Sequence, residues 1–106
     1  MIDSIDLKIL KVMKKLETEE CSPWFVMRRI FPKGSDSEVK KIKWRMERLE
    51  KIGLFMIEKN SPRHFQIIEE NVLFKTEDFP DILSGKKRKS SSVWLNINNK
   101  WQVFEL

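Results

Sequence analysis

The chain has 106 residues and a mass of 12.8 kDa, with 41% apolar residues, 35% charged residues and a net charge of +5. This is one domain with enough apolar residues for a core, and no apolar run approaches the roughly 20 residues of a membrane span. Cys21 is alone, which excludes an internal disulfide and makes a reducing cytoplasm the expected compartment; the alternation of apolar and charged residues at the N-terminus is unlike a secretory signal.

Residues 3–16 predict a first helix, with Ser4 as its cap, Asp3 and Asp6 near the positive end of the helix dipole, and Ile5, Ile9, Val12, Met13 and Leu16 on its apolar face. A polar connection, Glu17 to Glu20, precedes a short strand at a sheet edge. Ser22-Pro23 opens a second helix with a hydroxyl cap and a proline in the first turn. Phe25, Val26, Ile30 and Phe31 form its core face, Trp24 is a packing residue, and Arg28 and Arg29 are exposed. Pro32-Lys33-Gly34 ends it and turns the chain.

The third helix, 35–53, is the best defined. Ser35 and Glu38 form a capping box, Gly53 supplies the left-handed residue that ends a helix, and Val39, Ile42, Met46 and Leu49 make one apolar stripe. At about 100° per residue the opposite face carries Ser37, Lys40, Trp44, Arg48 and Lys51, flanked by Lys41, Lys43 and Arg45. A tryptophan in water forgoes roughly 1.5–3 kcal/mol of burial, so Trp44 calls for a cover: a duplex groove, another subunit or a later segment of the chain. Two short helices joined by a glycine-containing turn, the second capped and basic, make a helix-turn-helix.

After Gly53 the apolar period changes from 3.6 to 2. Leu54 to Lys59 and His64 to Glu69 form a hairpin, and Pro62 favours a four-residue tip, Asn60-Ser61-Pro62-Arg63. Asn71 to Lys75 is a further strand and Thr76 to Gly85 an irregular connection. A basic linker spans 85–92, and residues 93–106 form a hairpin turning at Asn98-Asn99, with Trp94 opposite Val103 and Val93 opposite Phe104. An isolated hairpin is barely stable, so a three-stranded sheet with 72–75, resting on the helices or on a second subunit, is expected.

The run Leu49-Glu50-Lys51-Ile52-Gly53-Leu54-Phe55, followed by a hairpin with Arg63-His64-Phe65 on its return strand, resembles winged helix-turn-helix DNA-binding proteins, the small regulators common in archaea and bacteria. The resemblance covers about residues 3–70. It implies a winged helix-turn-helix domain at 1–70 (three helices plus a two-stranded wing); residues 71–106 fall outside the resemblance and read as a C-terminal antiparallel β extension, so the expected fold class is α+β. The resemblance also implies that the outer face of 36–51 enters a major groove and the tip at 59–64 lies along the backbone or minor groove. Trp44 departs from the family pattern, which places a polar or small side chain there.

The charge distribution points to the same class of partner. Residues 1–21 hold four basic and five acidic side chains, residues 22–68 hold eleven and five, and residues 69–106 hold six of each. The positive field therefore lies over the capped helix, as expected for a polyanion partner. The expected function is duplex DNA binding and hence transcriptional regulation. Arg28, Arg29 and Lys33 grip phosphates; Ser37, Lys40, Lys41, Lys43, Trp44 and Arg48 form the recognition face; Lys59, Arg63 and His64 hold the wing; Lys86, Lys87, Arg88 and Lys89 are an adjunct. A homodimer through the C-terminal hairpin would present two such helices about 34 Å apart. The alternative is a protein–protein interaction module in a transcription or replication assembly, with Trp44 as its hot spot.

Nothing in the sequence suggests an enzyme. One histidine and one cysteine supply no metal site of the usual three or four ligands, nothing orients a Cys21–His64 nucleophile, and three glycines form no phosphate loop, so no metal or cofactor is expected.

Overall fold

In the computed structural model, which describes residues 2–16, 21–58, 61–80 and 87–106 (61–63, 77–80 and 87–90 by backbone alone), three helices precede five strands in an α+β arrangement. Helix α1 is Ser4–Lys15. Its cap is Asp3, not Ser4: the Asp3 carboxylate accepts from the backbone N–H groups of Ile5 and Asp6, both at 3.0 Å. Asp6 returns the bond by accepting from the Asp3 N–H at 3.1 Å, so an all-aspartate capping box displaces the hydroxyl cap.

Helix α2 is Pro23–Ile30, with the Ser22 hydroxyl accepting from the Phe25 N–H at 3.2 Å. Its buried residues are Val26 and Met27 together with Pro23, while Phe25, Ile30 and Phe31 are half-buried. Met27 faces inward because the turn into α3 presses on it. A Cβ at Gly34 would lie 2.5 Å from the Met27 sulfur, so glycine is what lets the turn close on the helix.

Helix α3 is Asp36–Lys51, burying Ile42, Met46 and Leu49. At its start the Glu38 carboxylate accepts from the Ser35 N–H at 2.9 Å and from the hydroxyls of Ser35 and Ser37. Gly53, at φ 88°, ends it: the Leu54 N–H reaches the Leu49 carbonyl at 3.0 Å and the Gly53 N–H the Glu50 carbonyl at 3.1 Å. This double bond pattern is the Schellman close that a positive φ permits.

Strands β1 (Phe55–Glu58) and β2 (Ser61–Ile67) pair antiparallel, with Phe55 and Phe65 packed edge to face at 6.5 Å. Among the described residues, Cys21 adds a single bridge to Phe65 where the edge strand is expected. The four-residue tip does not form. Glu58 pairs with Ser61, and the register shifts between Ile57 and Glu58. Pro62, which cannot donate to a ladder, is accommodated by that irregularity. Lys59 and Asn60 lie outside the described residues, as does the 17–20 connection.

A 3-10 turn, Glu69–Asn71, leads into β3 (Val72–Pro80), β4 (Lys87–Ile97) and β5 (Lys100–Glu105), an antiparallel sheet with β4 in the middle. The hairpin turns at Asn98 and Asn99, at φ 54° and 64°, and the register sets Trp94 against Val103 and Val93 against Phe104, as the sequence predicts. Residues 76–80 and 87–92, expected as an irregular connection and a basic linker, are strand instead. They extend β3 and β4 as a ladder to Pro80↔Lys87, in which Asp78 is placed opposite Lys89. Pairing satisfies the backbone groups, and opposite charges at register partners favour it.

One core unites the parts. Ile9, Leu10 and Met13 of α1, Val26 and Met27 of α2, Ile42, Met46 and Leu49 of α3, Phe55 and Phe65 of the first hairpin and Val72, Val93 and Leu95 of the second sheet form one buried cluster. Each fully buried large aliphatic side chain contributes roughly 1.5–3 kcal/mol. The Asn71 amide donates to the Gly53 carbonyl at 2.8 Å and its oxygen accepts from Asn96 at 3.2 Å, which ties the second sheet to the end of α3.

Candidate nucleic-acid interface

The outer face of α3 is solvent-exposed. Lys40, Lys41 and Lys43 are in water, Lys43 with Glu47 at 4.0 Å, and Trp44 is 61% exposed. No described segment covers the indole; the second sheet packs elsewhere. Lys40, Lys41, Trp44 and Arg45 line a shallow open depression of about 460 Å³. Ser37 is exposed, but its hydroxyl is engaged with Glu38 and the Ser35 hydroxyl. Those contacts, the Ser35 hydroxyl first, hold the Glu38 carboxyl at about 2, so the head of α3 carries a fixed negative charge.

Arg48 is half-buried at the edge of that face and is committed to α1. Its guanidinium is paired with the Asp6 carboxylate, which is completely buried, and it lies over the Trp44 ring at 5.3 Å. Arg45 bonds Asp3 at 2.5 Å and lies 3.5 Å from Asp6. Two aspartates of α1 thus hold both arginines of α3. The Arg45 hydrogen bond is the main reason the Asp3 carboxyl falls to about 2, and Asp3 in turn raises Arg45. Burial pushes Asp6 up, against the Asp3 N–H and Arg48, which pull it down. The network was not read from the sequence, where Asp3 and Asp6 register only as helix-start residues. A spacing of i, i+3 on both helices, Asp3/Asp6 and Arg45/Arg48, is the signal that could have found it.

In α2, Arg28 and Arg29 are exposed, and each is partly committed to its own helix. Arg28 donates to the Pro32 carbonyl at 3.0 Å and lies 5.1 Å from the Trp24 ring; Arg29 lies 5.2 Å from the Phe25 ring. Trp24, expected to pack, is exposed, because position 24 faces outward once Met27 and Val26 take the core. Lys33 is exposed in the turn. His64 is half-buried on β2. Arg63, Lys87, Arg88 and Lys89 lie on strands described by backbone alone, and Lys59 and Lys86 are outside the described residues. The structure thus leaves Lys40, Lys41 and Lys43 in water around Trp44 and ties Arg48, which lies against the same ring, to Asp6.

No helix among the described residues is long and apolar enough to cross a membrane, and no three His, Cys, Asp or Glu side chains among them group as metal ligands. Comparison with family models, curated proteins and solved structures finds no match to this chain.

Proposed function

We propose that the chain is a winged helix-turn-helix protein that binds duplex DNA and regulates transcription in the cytoplasm. The order of elements supports the fold: α1, α2, a glycine turn, α3 closed at Gly53, then the β1–β2 hairpin with Cys21 bridged to its edge. The observation that carries the function is the uncovered basic face of α3, with Lys40, Lys41 and Lys43 around an exposed Trp44. In this reading that face approaches the major groove, and the indole meets a thymine methyl or a sugar. Arg28, Arg29 and Lys33 contact phosphates, Lys59, Arg63 and His64 hold the wing, and the basic run 86–89 adds backbone contacts. Arg48 supports Trp44 from below rather than reading a base.

A salt titration of duplex binding tests this. About six phosphate contacts give a log–log slope near −5, and Lys40→Ala with Lys41→Ala should weaken binding about 10-fold or more and reduce the slope by about 2. Binding that ignores both substitutions would remove α3 from the interface. The exposed Trp44 also favours a second reading, in which the same face meets protein with the indole as anchor. That module would show no salt-dependent duplex binding at all.

A further inference from the structure

Among the described residues, nothing covers the apolar row on the outer face of the β3–β4–β5 sheet. Val72, Val93 and Leu95 point into the core, so Leu73, Trp94 and Val103, one residue out of phase and paired across the sheet, lie on the other side. Leu73 is 47%, Val103 50% and Trp101 49% exposed. An antiparallel sheet with one wet face alternates apolar and polar residues; this one also carries an apolar row, with Trp101 beside it, on its outer face, and such a patch marks an interaction surface. The next row on that face is Lys75, Ser92 and Glu105, with the Lys75 ammonium over the Trp94 ring at 4.7 Å.

The geometry points to a second copy of this chain as the occupant, packed face to face through this sheet. The argument is self-complementarity. A two-fold axis lying between two sheets and running along β4 sets β3 of one copy over β5 of the other. Leu73 then meets the partner's Val103 and Lys75 meets the partner's Glu105, each pair occurring twice, while Trp94 meets the partner's Trp94 once, on the axis. Both apolar rows and both opposite charges are matched by one operation, as a two-fold interface requires. The strand register places Lys75 and Glu105 at opposite edges of one row, which a flat apolar partner would leave unused. The same operation sends the paired segments 76–80 and 87–91 of both copies out from the same end. The contact is only three strands wide, so a weak association is expected. This inference stands apart from the nucleic-acid reading.

Sedimentation of the full chain, without nucleic acid, up to about 0.5 mM tests it at concentrations where a small interface associates. A concentration-dependent dimer is expected. Lys75→Glu and Glu105→Lys should each weaken it about 10-fold or more by setting like charges face to face, and the double variant should recover most of the loss. Val103→Asp should abolish it; as Lys75, Glu105 and Val103 are exposed, near-UV circular dichroism should remain native. Should Val103→Asp disturb the sheet, Val103→Thr is expected to weaken the dimer in the same direction. A monomer at all concentrations overturns the proposal. So does a dimer indifferent to the single reversals, or a double variant no better than either single one.

Discussion

Helix α3 carries two sets of basic side chains that look alike in sequence and behave differently in the structure. Lys40, Lys41 and Lys43 extend into water; Arg45 and Arg48, next to them on the same helix, are held by Asp3 and Asp6 of α1. Residue chemistry fits the division. A planar guanidinium satisfies a buried carboxylate with directed hydrogen bonds, while a lysine ammonium is strongly hydrated and stays outside. Positive charge on a helix is therefore of two kinds here. One kind fastens α3 to α1 and fixes the tilt of the helix; the other is available to a partner.

The largest effect should come from cutting the fastening at its outer end. Arg48→Ala leaves the buried Asp6 carboxylate with the Asp3 N–H at 3.1 Å and Arg45 at 3.5 Å, and should cost about 3 kcal/mol, or about 12–20 °C in Tm. The loss should shrink as the pH is lowered: burial already raises Asp6, so without Arg48 the folded protein takes up a proton there and sheds the unpaired charge. Asp6→Ala should cost less, about 2 kcal/mol, because the stranded arginines are about a quarter exposed and can turn to water. Lys41→Ala supplies the contrast: stability within about 0.5 kcal/mol of the parent, with the salt slope of duplex binding reduced by about 1. If Arg48→Ala destabilises nothing and Lys41→Ala destabilises, the lysines and the arginines are not different in kind.

The parts of the fold legible in the sequence were those set by local rules. The α3 stripe, its glycine close and the Asn98-Asn99 turn with its register all follow from periodicity and from residues that accept positive φ. Three things were not legible. Asp3 outcompeted Ser4 as the cap because Asp6 could answer it reciprocally, and Asp6 then became buried through a contact 42 residues away. Residues 76–80 and 87–92 lack an apolar alternation, yet pairing with each other makes them strand. Met27, given no role from the sequence, is buried against the Gly34 turn, while Trp24 is exposed. At the candidate site, periodicity placed Trp44 and the lysines on the outer face, but it could not distinguish Arg48, since helical angle alone does not say which neighbour a flank meets.

Trp44→Ala sharpens the comparison on the open side. The indole is mostly in water and its one described ring contact is Arg48, so the substitution should change stability by less than about 1 kcal/mol. Partner binding should fall about 10-fold or more if the ring is covered in the complex. A Tm drop comparable to that of Arg48→Ala would mean the ring belongs to the fastening, not to the open face.

The smallest effect lies in acid. Asp3 is held at about 2 against an ordinary 3.8, so its contribution is complete above about pH 4 and is lost as the pH falls toward 2. Half of its side chain is in water, so that contribution is below about 1 kcal/mol. Asp3→Asn retains a capping side chain and removes only the charge facing Arg45. The parent and variant should therefore differ by a constant amount in urea denaturation above about pH 5 and converge near pH 2. Glu38, held at about 2 from 4.5, titrates through an overlapping window in both proteins and cancels from the difference. A gap that persists unchanged to pH 2 would show that Asp3 holds α1 through its cap geometry, with the Arg45 charge pair contributing nothing.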